Sequence, residues 1–196
     1  MSVLVFDLDG TLVSSMEDLV ATLNAVLDNA GHGTVPQDKV ANMVGMGAKV
    51  LLQRGLDYLE IAWSDETITP LYEDFLEYYA ANIAVHTRPF DGVVPALDRF
   101  RADGWKLAVC TNKTERLTLP LLAALNMTDH FDAVVGGDTF AVSKPRAEPV
   151  LGAIKRAGGT PEGSIMIGDS VTDIKAARAA GIPVVAVDFG YTPVPV

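Results

Sequence analysis

Val3-Leu4-Val5-Phe6 runs directly into Asp7-Leu8-Asp9-Gly10-Thr11, joining a short apolar stretch of strand formers to two carboxylates two residues apart. Four such residues bounded by acids and a glycine read as a buried strand that empties into a loop. The acids therefore stand at its carboxyl end, and Gly10 lets the chain leave the strand sharply. Two carboxylates so placed can divide the work of breaking a phosphoester: one attacks phosphorus, and the other protonates the leaving oxygen and later activates water. A bare Asp-x-Asp is common in solvated turns; the strand before this one and the Gly-Thr after it set it apart.

Downstream, Ser14 and Ser15 stand three residues before Glu17 and Asp18, a spacing that predicts a capping box opening a helix to Asn29, stopped at Gly31. Apolar residues recur at helical spacing over 40–43, 48–59 and 70–84, so residues 14–87 are expected to form an all-helical insert. From Arg88-Pro89-Phe90-Asp91-Gly92 onward the pattern alternates. Helices are expected over 93–102, 116–125, 149–157 and 173–180, and strands over 106–110, 133–135, 164–167 and 184–187. This is the signature of an α/β fold, a doubly wound parallel sheet covered by helices on both faces, with residues 1–13 and 88–196 as its Rossmann-like core. Such sheets bind ligands outside the carboxyl ends of their strands, where Asp7, Asp9, Thr111 and Asp169 all fall.

Gly168-Asp169-Ser170-Val171-Thr172-Asp173 repeats the acidic strand end after Ile165-Met166-Ile167. With Asp7, Asp169 supplies the hard oxygen ligands that magnesium prefers and leaves positions for water and a phosphate oxygen. Asp173, in the first turn of a helix, is placed behind the ligands rather than among them. Thr111 and Asn112 offer a hydroxyl and N–H groups to phosphate oxygens, and Lys144 can neutralise both phosphate and crowded carboxylates. Gly45, Lys49 and Arg54 are weaker candidates for binding the rest of a substrate, the first two because residues 45–49 can open a helix toward an anion. Arg88 is a further isolated candidate. Cys110 lies inside an apolar strand with no base beside it and reads as core.

Composition narrows the classes. A formal net charge of -10 without a Lys/Arg block argues against nucleic acid as partner. It also makes a phosphate-ester site depend on a cation and a few placed lysines. No apolar run approaches the roughly 18 to 20 residues of a membrane span, and the N-terminus lacks a secretory signal. The single cysteine, with no Cys/His array of zinc-ligand spacing, points to a reducing cytoplasm.

Asp7-Leu-Asp-Gly-Thr-Leu, Thr111-Asn112, Lys144-Pro145 and Gly168-Asp169-Ser-x-x-Asp173 resemble, in that order, the four motifs of the haloacid dehalogenase superfamily, and the likeness spans nearly the whole chain. It implies Asp7 as nucleophile, Asp9 as acid/base, Thr111 and Lys144 as phosphate holders, and magnesium bound by Asp7, Asp169 and the main-chain carbonyl of Asp9. The insert is similar to the superfamily's cap. Phe6-Asp-Leu-Asp-Gly-Thr-Leu-Val13, Val44-Gly-Met-Gly-Ala-Lys-Val-Leu-Leu52, Thr111-Asn-Lys113 and Phe189-Gly-Tyr191 most resemble the phosphoglycolate phosphatases. Ser14, Phe90-Asp91 and Ala147-Glu148 depart from that pattern without removing a catalytic group, and similar proteins continue past Gly190-Tyr191 into a further strand and helix. The implied partner is a small phosphorylated metabolite, and the implied assembly a monomer or homodimer. Two alternatives share parts of the pattern: phosphoglucomutases of the same superfamily, and receiver-type phosphoacceptor modules. Asp9 argues against a receiver, because an acid/base there shortens the life of the phosphoaspartate.

Overall fold

The computed structural model describes residues 1–40 and 43–191. β1 (Val3–Phe6), β4 (Lys106–Cys110), β5 (Ala133–Val135), β6 (Ile165–Gly168) and β7 (Val184–Ala186) form one sheet in the order β5-β4-β1-β6-β7. All its pairings are parallel, so helices must carry the chain between neighbours. α7 (Ala147–Arg156) and α8 (Val171–Ala180) lie on one face, where Val150, Ala153, Ile154 and Ala176 meet Val3, Val5, Ala108 and Cys110. α5 (Val93–Ala102) and α6 (Glu115–Ala124) lie on the other, packing Leu97, Leu121 and Leu122 against Leu4, Phe6, Leu107 and Val109. Successive residues of a strand point to opposite faces, which is why an unbroken apolar run suits β1: both of its faces are core.

Among the described residues the expected cover is incomplete on the α5 side. There Ile165, Ile167, Val185, Val187 and Phe189 line an open apolar groove over β6 and β7. From β1 the sheet grows outward through β4 to β5, then the chain returns to add β6 and β7 on the opposite side. This reversal opens a crevice between the ends of β1 and β6.

The insert leaves and re-enters through a two-stranded antiparallel pair, β2 (Val13–Ser14) with β3 (Arg88–Pro89). Between them α1 (Met16–Asn29), α2 (Gln37–Val40), α3 (Ala48–Tyr58) and α4 (Asp65–Ala81) enclose their own core of Leu23, Leu27, Leu52, Leu56, Ile68 and Phe75. Of the helical stretch expected over 40–43, Val40 closes α2, and residues 41 and 42 lie outside the described residues.

Two expectations at helix starts are corrected. No capping box opens α1, although Ser15 is its N-cap residue. The Ser15 hydroxyl donates to Asp9 instead, and the Tyr191 hydroxyl accepts the N–H groups of Ser15 and Met16. Buried Asp18 accepts from the N–H groups of His86 and Thr87 and from the Thr87 hydroxyl, tying the start of the insert to its end. α4 begins at Asp65 rather than Pro70, because Ser64 and Thr67 cap it reciprocally.

Candidate active site

The loop after β1 is shaped by one carbonyl: Leu8 O accepts the N–H groups of Thr11, Leu12 and Val13, which winds residues 8–13 into a tight turn. That turn requires Gly10, whose φ is +86° and where an added Cβ would lie 2.5 Å from Asp169 Oδ2. Asp7 is fixed at the mouth of the crevice, its N–H donating to Ile167 O across the sheet.

Asp7, Asp169 and Asp173 each direct a carboxylate oxygen into one buried cluster, all three atoms within 4.8 Å of one another. Lys144 enters from the side: its Nζ lies 2.8 Å from Asp7 Oδ1 and 2.7 Å from Asp173 Oδ1. Burial works against that ammonium, but Asp173 and Asp7 outweigh it and hold the lysine charged. One lysine does not balance three acids. Burial, partly offset by Lys144 and reinforced by Asp173 and Asp169, pushes the Asp7 carboxyl up to about 7. Burial also raises Asp169, against the pull of the Tyr191 N–H. A deficit of positive charge among hard oxygen donors fits a small divalent cation such as magnesium. Asp173 also accepts from Ser170 and sits at the third position of α8 in a capping box, so its two oxygens are divided between Lys144 and the helix start. Among the described residues Asp169 pairs with no cation: its Oδ1 accepts from the Thr11 hydroxyl at 3.3 Å and its Oδ2 from the Tyr191 N–H, both neutral donors, so its charge stays available to an ion beside Asp7.

Asp9 points to the other side of the turn. Its Oδ1 accepts from Ser15 Oγ at 2.5 Å and lies 3.1 Å from Lys113 Nζ. Lys113, which sequence reasoning did not single out as a site residue, is buried and also donates to the Tyr79 hydroxyl at 2.9 Å. Burial lowers its pKa, yet Asp9 and Tyr79 raise it further, so the net shift is upward. Thr111, at the end of β4, accepts the Lys113 N–H on its hydroxyl oxygen. Asn112 Nδ2 bridges the carbonyls of Gly45 and Lys144, joining the loop before α3 to the Lys144 loop.

A cavity of about 220 Å³ lies between these strand ends and the insert. Asp7, Asp9, Thr111, Asn112 and Lys113 form its floor, and Gly45, Lys49, Leu51, Phe75 and Tyr79 belong to its roof. Lys49 reaches the rim, where it pairs with exposed Asp65 at 2.8 Å. Arg54 and Arg88 are not brought to the cavity. Arg54 donates to the Met43 carbonyl and the Met46 sulfur, and Arg88 to the carbonyls of Ala84, Val85 and Thr87. Cys110 is core as expected, its thiol pushed by burial up to about 12.

Ser15, Tyr79 and Tyr191 are the other residues that sequence reasoning passed over. Tyr191 donates its N–H to Asp169 Oδ2 at 2.8 Å while its hydroxyl caps α1, so one residue links the acidic cluster to the insert. The preceding Gly190 has no room for a side chain, since a Cβ would lie 2.2 Å from that of Asp169. The Phe189-Gly190-Tyr191 run was the available signal, but nothing local ties it to residues more than 170 positions earlier.

The sequence profile of the haloacid dehalogenase-like hydrolases matches residues 4–187. Phosphoglycolate phosphatase of Agrobacterium fabrum is 47% identical over 191 residues, covering 97% of this chain and 82% of that protein. The Mesorhizobium japonicum protein of the same name is 43% identical over 194 residues, covering 97% and 84%. A crystal structure described as a predicted phosphoglycolate phosphatase from Haemophilus somnus superposes with a TM-score of 0.91 at 31% identity, over 100% of this chain and 89% of that one.

Proposed function

Because the chain belongs to the haloacid dehalogenase-like hydrolase family, we propose that it is a magnesium-dependent phosphomonoester hydrolase acting through an aspartyl-phosphate on Asp7, with 2-phosphoglycolate as substrate. The observation that carries this reading is the convergence of Asp7, Asp9 and Thr111 on one cavity at the sheet's reversal point, with Lys144 and Asp169 behind Asp7. The name shared by relatives at 47% and 43% identity supports the substrate.

Asp7 and Asp169, with the Asp9 carbonyl, would hold the magnesium ion, which supplies positive charge against the phosphoryl oxygens. The protein's own groups then account for the bond changes. An Asp7 oxygen attacks phosphorus in line while Lys144 and the Thr111 hydroxyl offset charge on the transferring group. As the P–O bond to the substrate breaks, Asp9 gives its proton to the departing alkoxide. Ionised Asp9 next takes a proton from water, whose oxygen attacks the phosphoaspartate, releasing phosphate and restoring Asp7. Ser15 and Lys113 keep Asp9 aimed at the cavity throughout.

Residues 14–87 act as a cap whose roof excludes bulk water from this sequence, while residues 1–13 and 88–196 supply the chemistry. A cavity roofed by the insert suits a turnover enzyme better than a receiver, which needs an open face for its partner. Among the described residues no helix is long and apolar enough to cross a membrane. A cytoplasmic setting suits the lone buried thiol.

Rapid quenching during turnover followed by mass spectrometry should find phosphate on Asp7 alone, and a chelator should abolish phosphate release until magnesium is restored. Absence of phosphate on Asp7, with inversion rather than retention of configuration at a chirally labelled phosphorus, would refute the covalent route. Efficient release from a sugar phosphate with none from 2-phosphoglycolate would refute the substrate.

A further inference from the structure

The cavity roof is largely apolar: Leu19, Leu51, Phe75 and Leu76 face it. Two lysines line the cavity, and they differ in kind. Lys49 is half exposed on the rim with Asp65 as partner, whereas Lys113 is buried at the floor. A cation in such surroundings is a costly element that needs compensation, and the two partners described for it do not use it up. An ammonium has three donors. Lys113 spends one on Asp9 and one on the Tyr79 hydroxyl, and its Nζ lies 4.2 Å from the centre of the Tyr79 ring. The Tyr79 hydroxyl accepts from Lys113 and is thereby turned to donate its own proton away from it. Burial raises the Tyr79 pKa, so that proton is present at neutral pH. Tyr79 itself is fully buried, so its hydroxyl serves to fix the ammonium, and Lys113 is the group that offers a charged donor to a carboxylate at this spot in the cavity wall.

Position decides what carries that carboxylate. Lys113 Nζ is 3.1 Å from Asp9 Oδ1, and Asp9 is the group that must touch the ester oxygen of a bound phosphomonoester. An anionic group reaching Lys113 must therefore lie within a carbon or so of that ester oxygen. The cavity, at about 220 Å³, is below the roughly 300 to 1,000 Å³ of pockets for drug-sized ligands and suits a compact leaving group.

We propose that Lys113 and Tyr79 form the specificity site for the leaving group, reading a carboxylate on the carbon that bears the phosphoester and so restricting the enzyme to phosphorylated α-hydroxy acids. This rests on the phosphatase reading above and adds the residues that select the substrate. Lys113 acts twice, aligning Asp9 and holding the substrate's carboxylate next to it, so that acid and ester oxygen are brought together only by a leaving group of the right charge.

The test is a ratio. Steady-state kcat/KM is measured on the full chain with magnesium for 2-phosphoglycolate and for ethyl phosphate, which has a leaving group of similar reach without the carboxylate. Wild type should prefer 2-phosphoglycolate by about 100-fold or more, as expected for a charge-assisted contact to a buried ammonium. Lys113→Met lowers both rates through Asp9, but the ratio should fall toward unity. Tyr79→Phe, which keeps the ring and the fold, should lower the ratio by about tenfold, chiefly through KM. Glycolate should inhibit wild type competitively and inhibit either variant less. A ratio unchanged in both variants, with both esters slowed alike, overturns the inference while leaving the phosphatase reading standing. A wild-type chain that releases phosphate from neither ester overturns that reading, and this one with it.

Discussion

Replacing Lys144 by methionine keeps the length of the side chain and removes the one lysine that bridges Asp7 and Asp173, 2.8 and 2.7 Å away. Both pairs are almost fully buried, so solvent cannot take over the lost interaction. Breaking a buried ion pair by removing one partner costs about 3 to 5 kcal/mol, because the other is left as an uncompensated charge. For a chain of this size that is a fall in melting temperature of roughly 6 to 20 °C. Metal-free protein should show the full cost in urea denaturation at neutral pH. The cost should shrink in acid, where protonated carboxyls need no counter-charge, and saturating magnesium should offset part of it by ligand linkage. Adding Asp173→Asn removes one orphaned carboxylate and should recover about 2 kcal/mol, a positive coupling that independent sites would not give. Activity should behave differently. It should drop about 100- to 1,000-fold in Lys144→Met and stay low in the double variant, since Asp7 and the phosphate have still lost their lysine. If Lys144→Met unfolds within about 1 kcal/mol of wild type, or Asp173→Asn gives no recovery, Lys144 is not what balances the acidic cluster.

Asp9→Asn should slow turnover about 100- to 10,000-fold on an alkyl ester and much less on an aryl phosphate whose leaving group needs no proton; equal losses on both would remove the acid role. Because the folded chain holds the Asp7 proton up to about pH 7 rather than 3.8, the stability this group contributes without metal is complete below about pH 4 and lost as pH rises toward 7. The difference between wild-type and Asp7→Asn unfolding profiles in chelator should show that downward slope, and a flat or rising difference would contradict it. Tyr191→Phe removes the acceptor for the first N–H groups of α1 and should cost about 1 kcal/mol by denaturation, with little change in magnesium affinity because the Tyr191 N–H that holds Asp169 remains. A loss of magnesium affinity greater than tenfold would mean that the hydroxyl also orders the acidic cluster.

The sequence by itself determined the alternation of strands and helices, the parallel sheet and the acids at its strand ends, because these depend on period, on apolar runs and on residues within a few positions of each other. Asp7, Thr111 and Asp169 were legible at strand ends for that reason: each follows its own strand directly, with Asp9 two residues beyond Asp7. Lys144 was legible through its motif, but its pairing with Asp173, 29 residues on, was not. The tertiary structure alone decided which polar groups were already committed. Ser15 looks like the start of a capping box, yet Asp9, six residues earlier, takes its hydroxyl, and the cap of α1 comes from Tyr191, 175 residues away from Met16. Arg54 and Lys113 are both basic residues beside predicted helices or strands, and nothing local ranks one above the other. Lys113 faces the cavity because α4 closes over the end of β4 and sets the Tyr79 hydroxyl against it, whereas Arg54 bonds within its own insert. A side chain's backbone position follows from local sequence, but its partners follow from which elements come together, and only the folded chain fixes that.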